Sequence, residues 1–339
     1  MLCYLKYAAV GLATATLVSA QTFSDCNPMK ETCPPNPGTT ESRHTFDFTK
    51  SSGLDQWTTT AGKVTTGSNG AEFTVAKQGD APTIQTNFYI FFGELSVTMK
   101  AAPGTGIVSS IVLQSDDLDE IDWEAVGGDA TEVQTNYFGK GDTTTYDRAT
   151  WEPVSTPQDV FHTYKVVWTK EATTWSVDGK VIRTLSFDEA QTGTRYPQTP
   201  MNVRIGVWAG GDPSNEEGTI QWAGGETDYS KAPFTMYIKE VTIVNYNPAE
   251  SYTWSDQSGS HESIKFTGST NSTSSAPTKP SVVGSLITPT STARPLSSGS
   301  VSHPSAPTSS PVFNAASNLS AGSFGFLSVL AIVSGFLFL

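Results

Sequence analysis

Between residues 40 and 250 the chain alternates short runs of β-forming residues with groups of turn-forming residues. An Asp178-Gly179 pair stands between two such runs and is typical of a tight β-hairpin turn. Regular strand spacing with little helical periodicity predicts an all-β fold, an antiparallel β-jelly-roll sandwich of two sheets. The clearest predicted strands cover residues 93–99, 107–114, 163–168, 174–177, 201–208 and 237–244.

Composition limits the partners that such a fold can have. The 339 residues carry a formal net charge of -13, and few charged residues follow Ser255, so the acidic excess belongs to the part before it. A nucleic-acid binder needs a basic face to neutralise phosphates, and we therefore expect no nucleic-acid partner. Aromatic residues make up 11% of the chain and charged residues 16%, which favours a β-rich fold with exposed aromatic surface.

The first residues have the pattern of a secretory signal peptide. Residues 1–20 contain a basic residue, an apolar run and small residues at the end, and the alternative is a first core helix. Cleavage after residue 20 removes Cys3 and leaves Cys26 and Cys33 in a proline-rich leader, residues 21–39. Two cysteines in a secreted chain predict one disulfide around a small loop.

The C-terminal part changes composition after residue 255. Residues 256–313 are rich in Ser, Thr and Pro and predict a glycosylated stalk, with an N-glycosylation sequon at Asn271. Residues 314–339 join small residues to an apolar tail, the pattern of a GPI-attachment signal with Asn314 as the attachment residue. The alternative is a single transmembrane helix. We expect an extracellular folded domain, residues 40–255, held at the plasma membrane by a lipid.

An acidic segment follows the second predicted strand. On a strand Glu120, Asp122 and Glu124 project to one side, while Ile121 and Trp123 project to the other. The apolar side predicts core packing, and we expect the acidic side to face solvent. Three acids on neighbouring positions of one face repel one another and raise at least one pKa, which folding alone would not favour.

Three interpretations of the acidic face remain open. It is a solvated edge strand, a cation site, or a pair of carboxylates that flank a glycosidic bond with unlike protonation states. Calcium sites usually take their ligands from a turning backbone, and the chain has only four His with no clustered pair, which argues against zinc. We therefore favour the glycosidic interpretation and expect no metal and no cofactor.

Strand geometry then suggests a role for each acid. At roughly 3.3 Å per residue the Cα atoms of Glu120 and Glu124 lie about 13 Å apart. If both side chains lean inward, their carboxyls approach the ~5 to 5.5 Å separation of a retaining glycosidase. Glu120 would be the nucleophile and Glu124 the acid/base, with Asp122 hydrogen-bonded to the nucleophile and helping to keep Glu124 protonated.

Other residues are candidates for substrate binding. Gln134 and Lys140 follow the acidic strand and are expected to hydrogen-bond the donor sugar. Four aromatic residues are expected to stack on sugar rings in the cleft, with the sandwich core as the alternative for each: Tyr137, Trp208, Trp222 and Tyr229.

The acidic segment, residues 119–124, resembles the E-x-D-x-E signature of glycoside hydrolase family 16. The resemblance spans roughly residues 45–244, and the two-cysteine leader, stalk and tail are similar to the fungal Crh branch in particular. The flanking segments agree with the same signature: residues 92–96 before it, and 134–138 and 139–142 after it. Three later segments match the branch that Crh proteins share with plant xyloglucan transglycosylases: residues 161–164, 208–211 and 228–234.

The resemblance implies both a fold and an activity. It implies a β-jelly-roll with a concave cleft, with Glu120 as nucleophile, Glu124 as acid/base and Asp122 as helper. Such an enzyme would cleave chitin and transfer it to β-glucan in the fungal cell wall, acting as a monomer. The alternatives are a secreted endo-β-glucanase, a chitinase-like hydrolase, or a non-catalytic wall lectin.

Overall fold

The computed structural model describes residues 24–268, and the elements below lie within that range. The one α-helix found there, α1, covers Glu217–Trp222, and 3-10 turns cover Ser51–Leu54, Tyr229–Lys231 and His261–Ser263. The strands are β1 Asn36–Pro37, β2 Arg43–Asp47, β3 Trp57–Ala61, β4 Val64–Gly67, β5 Gly70–Val75, β6 Thr83–Thr86, β7 Gly93–Lys100, β8 Ile107–Ser115, β9 Glu120–Val126, β10 Glu132–Phe138, β11 Thr150–Pro153, β12 His162–Trp168, β13 Ala172–Val177, β14 Lys180–Ser186, β15 Met201–Ala209, β16 Phe234–Asn245, β17 Ser251–Trp254 and β18 Ile264–Thr267.

Two large antiparallel sheets form the body of the molecule. The front sheet has the strand order β11-β10-β9-β8-β15-β6-β3, and the back sheet has the order β14-β13-β12-β7-β16-β5-β4, with β2 also paired to β16. Neighbours such as β8 and β15 are far apart in the sequence, as expected when long connections cross between two sheets. The predicted all-β jelly-roll sandwich is confirmed.

The hydrophobic core lies between the two sheets. The Trp123 ring on β9 meets the Tyr164 ring on β12 edge to face, with 5.3 Å between centroids. Trp175 on β13 donates its indole N–H to the backbone oxygen of Asp122, at 3.1 Å. Burial of these large rings stabilises the sandwich, at roughly 25 cal/mol per Å² of apolar surface. Every second residue of β9 is thereby used for packing, and the side chains between them face away from the core.

The two ends of the described chain meet in a third, small sheet. In this mini-sheet, β17 pairs with β1 on one side and with β18 on the other. Cys26 and Cys33 are joined by a disulfide in the leader that precedes β1. The leader is therefore part of the folded unit, because Asn36 is 3% exposed and lies in register with Tyr252.

The predicted start of the stalk at residue 256 was too early. The structure continues through residue 268, with Ile264 5% exposed and packed against the core. Strand β18, which pairs with β17, was not predicted. The Ser and Gly residues around it obscure the alternation of apolar and polar residues.

Several predicted features lie outside the described residues: the signal peptide 1–20, the stalk from residue 269 onward with Asn271, and the tail 314–339 with Asn314. Within residues 24–268, no helix is long and apolar enough to cross a membrane.

Candidate active site

The three acids occupy β9, which lies between β8 and β10 in the interior of the front sheet. Residues directly opposite each other on neighbouring strands share a face. Glu124 is in register with Ser110 on β8 and with Gln134 on β10, so these three form one row across the outer face. The next row crosses β9 at Asp122, two residues before Glu124, and the row after it crosses at Glu120.

The carboxylates are less exposed than the sequence suggested. Asp122 is 3% exposed, and Glu120 and Glu124 are half-buried. Their neighbours explain the difference, because Gln114 is fully buried and Gln134 is 3% exposed. The outer face of the front sheet is therefore a protected site at this point, where hydrogen bonds and charges act more strongly than in water.

Burial raises the pKa of all three acids. The pKa of Glu120 rises to about 7, opposed by a hydrogen bond with Asp122, the charge of Arg204 and a hydrogen bond from Gln114. The pKa of Glu124 rises to about 8, from burial first and repulsion by Glu120 second.

The pKa of Asp122 is raised well above its ordinary value, by burial and then by the charges of Glu120 and Glu124. Its interaction with Glu120 favours the protonated form of Asp122 and raises its pKa further. The same interaction lowers the pKa of Glu120, so the three acids have unlike environments.

Two residues of neighbouring strands support Glu124. The Ser110 hydroxyl lies 3.5 Å from Oε1 of Glu124 and donates to it, and the Trp208 indole N–H donates to the same hydroxyl at 3.3 Å. Trp222 stacks on Trp208 with 6.1 Å between ring centroids and 25° between planes. Trp208 is itself 5% exposed, so it acts here as a support beneath Glu124, while Trp222 is the more accessible ring.

Glu120 has a different set of neighbours. Gln114 donates from Nε2 to Oε2 of Glu120 at 3.4 Å. Arg204 on β15 is 4% exposed, donates from Nε to the Asn202 amide oxygen at 3.1 Å, and lowers the pKa of Glu120 by its charge.

Sequence reasoning missed these supporting residues. Ser110, Gln114 and Arg204 all lie on β8 or β15, strands in which every residue is buried. Polar side chains in such strands need partners, and this was the signal that the sequence offered.

Tyr137 is not brought to the carboxylates. It is in register with Ile121, is 6% exposed, and lies between the sheets with the Arg183 guanidinium 5.5 Å from its ring. Gln134, three positions earlier, lies on the outer face beside Glu124. Because side chains alternate along a strand, positions 134 and 137 cannot share a face, and the expectation that Tyr137 stacks on substrate does not agree with this placement.

Lys140 and Tyr229 have protein partners. Lys140 places Nζ 3.3 Å from Oδ1 of Asp119, which also accepts the Lys140 backbone N–H at 2.9 Å. Asp119 is fully buried, and Lys140 is its ion-pair partner just before β9. The Tyr229 hydroxyl donates to Asp212 at 2.5 Å, in the loop region that follows β15.

No group of three or more His, Cys, Asp and Glu side chains within residues 24–268 is placed to hold a metal ion.

Comparison with known proteins places this geometry in a family. Residues 53–224 match glycosyl hydrolases family 16. Crh-like protein 5 of Aspergillus fumigatus is 67% identical over 273 residues, which cover 80% of this chain and 69% of the relative. Congo red hypersensitive protein 1 of Saccharomyces cerevisiae is 51% identical over 249 residues, covering 72% of this chain and 48% of the relative.

Solved structures agree with the sequence comparison. The structure described as Crh5 transglycosylase in complex with NAG is 69% identical, has a TM-score of 0.70, and covers 71% of this chain and 99% of its own. A Bacillus licheniformis β-glucanase, 23% identical with a TM-score of 0.51 over 61% of this chain and 99% of its own, shares the fold. The predicted resemblance is confirmed, and the chain belongs to glycosyl hydrolases family 16, among its Crh-like members.

Proposed function

We propose that this enzyme is a retaining transglycosylase that cleaves chitin chains and transfers them to β-glucan acceptors in the fungal cell wall. The observation that carries the proposal is the row of acids on one face of β9, with Asp122 between Glu120 and Glu124. Retaining enzymes need an ionised nucleophile and a protonated acid on one site, and we assign these roles to Glu120 and Glu124.

In the first step Glu120 attacks the anomeric carbon of the donor sugar, and the bond to the leaving oxygen breaks. Glu124 gives its proton to that oxygen, and a covalent glycosyl-enzyme forms at Glu120. The proton on Asp122 stays hydrogen-bonded to Glu120 and orients it before the attack.

In the second step Glu124 is a carboxylate and accepts the proton of the incoming hydroxyl. That hydroxyl attacks the anomeric carbon and releases Glu120, so the sugar keeps its original configuration. Water competes for the same position. Transfer is favoured when binding holds the acceptor hydroxyl in line, because effective molarities of well-oriented groups can reach about 10⁵ to 10⁸ M.

The choice of substrates rests on the relatives. The Crh5 transglycosylase was solved with NAG, and N-acetylglucosamine is the repeating unit of chitin. The similar A. fumigatus and S. cerevisiae proteins match 80% and 72% of this chain. A chitin donor and a β-glucan acceptor fit this relationship.

The proposal includes the placement of the enzyme. A signal peptide over residues 1–20, a glycosylated stalk after residue 268 with a sugar on Asn271, and a GPI lipid on Asn314 would hold a monomeric domain at the outer face of the plasma membrane and in the wall.

The test uses chitin oligosaccharide as donor and a fluorescent β-glucan oligosaccharide as acceptor. We expect a labelled, longer, alkali-stable product. Glu120→Gln should abolish it, and Glu124→Gln should lower its rate by about 10² to 10⁴-fold, because a general acid contributes that much. Glu171→Gln is the matched control, since Glu171 is 69% exposed in the back-sheet turn between β12 and β13.

Formation of new reducing ends, with the label remaining on the short acceptor, would show that the protein is a hydrolase. Wild-type turnover by either Gln variant at the β9 acids would overturn the roles assigned to them.

A further inference from the structure

Aromatic side chains lie on the outer face of the front sheet beside the strand that carries the acids. We use the name aromatic shelf for Phe138, Tyr146 and Trp151, which lie on or beside β10 and β11. On the other side of β9, the face carries polar residues on β8 and β15, namely Ser110, Gln114, Asn202 and Arg204. It also carries Trp208, farther along β15, with Trp222 stacked on it.

Trp151 shares a row with the proposed acid/base. It is in register with Gln134 on β10, which is in register with Glu124 on β9. Two strand spacings separate the Cα atoms of Trp151 and Glu124, which is about 10 Å. Trp151 is 39% exposed although it is a large ring on the edge strand of the sheet.

Phe138 and Tyr146 extend the shelf toward the other acid. Phe138 is in register with Glu120, and the Tyr146 ring meets it edge to face with 6.3 Å between centroids. Tyr146 is 54% exposed. The loop that carries Tyr146 is fixed from below by Arg148, whose guanidinium lies 4.7 Å from the Phe138 ring and donates to the Thr145 backbone oxygen at 2.7 Å.

Few other large apolar residues are exposed in the described part of the chain. The other exposed large apolar residues within the described range are Val160, Val181 and Phe266. Val181 is on β14 in the back sheet, Phe266 is in the mini-sheet, and Val160 lies in the loop before β12. Scattered apolar residues are common on protein surfaces, but Trp151 and Phe138 lie in the rows of the two proposed reacting acids.

We propose that the aromatic shelf binds sugar units of a β-linked polysaccharide beyond the two units that react. Rings of Trp and Tyr have an apolar face and a polar edge, so they can stack on a sugar ring while its hydroxyls stay hydrogen-bonded. A chain that crosses the sheet along the Glu124 row would reach Trp151 after the reacting bond. The aromatic shelf would therefore bind long oligosaccharides more tightly than short ones. Only the identity of the polymer rests on the proposed function.

The test measures binding and turnover against oligosaccharide length. In the inactive Glu124→Gln background, Trp151→Ala should weaken binding of long oligosaccharides about 10-fold in calorimetric titrations with chitin and β-glucan ladders, and leave disaccharide binding unchanged. In the active enzyme the same change should raise KM for the long substrate with kcat little altered. Trp151→Phe should restore most of the affinity, and Val181→Ala is the control on the opposite sheet.

Equal loss at every length, or no loss at any length, would overturn the shelf. Circular dichroism and thermal melting establish that each variant is folded. If the wild-type enzyme transfers normally and Trp151→Ala behaves like it, the shelf proposal alone is rejected. Failure of the wild type to transfer, with length-dependent binding retained, would reject the proposed reaction and leave the shelf in place.

Discussion

At the scale of single residues, the three acids on β9 oppose folding. Burial raises the pKa of Glu124 from an ordinary value of 4.5 to about 8. A folded-state pKa above the unfolded one means that the folded protein binds protons the unfolded chain has released. The free energy of unfolding therefore falls as pH rises between these two values.

Glu124→Gln should remove this penalty. We expect the variant to be more stable than wild type by up to about 4 kcal/mol at pH 8, since one pKa unit corresponds to about 1.4 kcal/mol and the pKa rises from 4.5 to about 8. At pH 4 the two proteins should be nearly equal. Urea denaturation at both pH values checks this, with the exposed Glu171→Gln as control. A variant less stable than wild type at pH 8 would contradict it.

The prediction of which residues share a face depended on the alternation of side chains along a strand. The period of two placed the three acids on one face and Ile121 and Trp123 on the other, as the structure has them. The same period, applied from Gln134, would have excluded Tyr137 from that face. Arg204 could not be placed, because its approach to Glu120 depends on β15 lying beside β8, a pairing between distant parts of the chain.

At the scale of elements, β8 supports the acid on the neighbouring strand. The Ser110 hydroxyl on β8 favours the ionised form of Glu124 and so lowers its pKa. Because Glu124 must be protonated in the first step, its pKa sets the basic limb of the pH dependence of kcat/KM.

Ser110→Ala should move this basic limb to higher pH by about half a unit, because a hydrogen bond contributes about 0.5 to 1.5 kcal/mol and one pKa unit is about 1.4 kcal/mol. A pH profile of kcat/KM measures the shift. The exposed Ser258→Ala is the control and should leave the limb in place. A limb displaced to lower pH would show that Ser110 does not stabilise the carboxylate.

The mini-sheet fixes the turn that leads into β9. Asn36 on β1 donates to Oδ2 of Asp116 at 2.6 Å, and its own amide oxygen accepts from the Trp254 indole at 2.9 Å. Tyr89 donates to the other oxygen of Asp116 at 2.7 Å. The small sheet thereby connects both ends of the described chain to the loop before the acids.

Asn36→Ala should lower the free energy of unfolding by about 1 to 3 kcal/mol, since it removes two hydrogen bonds to half-buried partners, Asp116 and Trp254. Thermal and urea melts measure the loss, and Glu31→Ala, an exposed change in the same leader, is the control. Equal stability of the two variants would contradict a bracing role for Asn36.

At the scale of the whole molecule, the sequence was sufficient for the sandwich and insufficient for the mini-sheet. Local alternation and turns reveal strands wherever one face is buried, and they predicted the fold class. The bond between Asn36 and Trp254 spans 218 positions, and no local pattern indicates such a contact.

The tail supports a prediction about attachment. The small residues at Asn314 and the apolar end of the chain should be exchanged for a lipid, so a phosphatidylinositol-specific phospholipase should release the mature protein from membranes. Heat-inactivated phospholipase is the control. Mass spectrometry that finds Leu339 in the mature protein would refute the anchor.

Because β1 and β18 lie in one small sheet, the two ends of the described fold are close together in space. Both β1 and β18 pair with β17, so they lie about 10 Å apart, two strand spacings. Circular permutation is tolerated where chain ends lie close together, because a short linker can join them. A flexible joint between the ends and a new opening in the exposed loop 76–79 would keep every strand pairing while changing which strands are synthesised first.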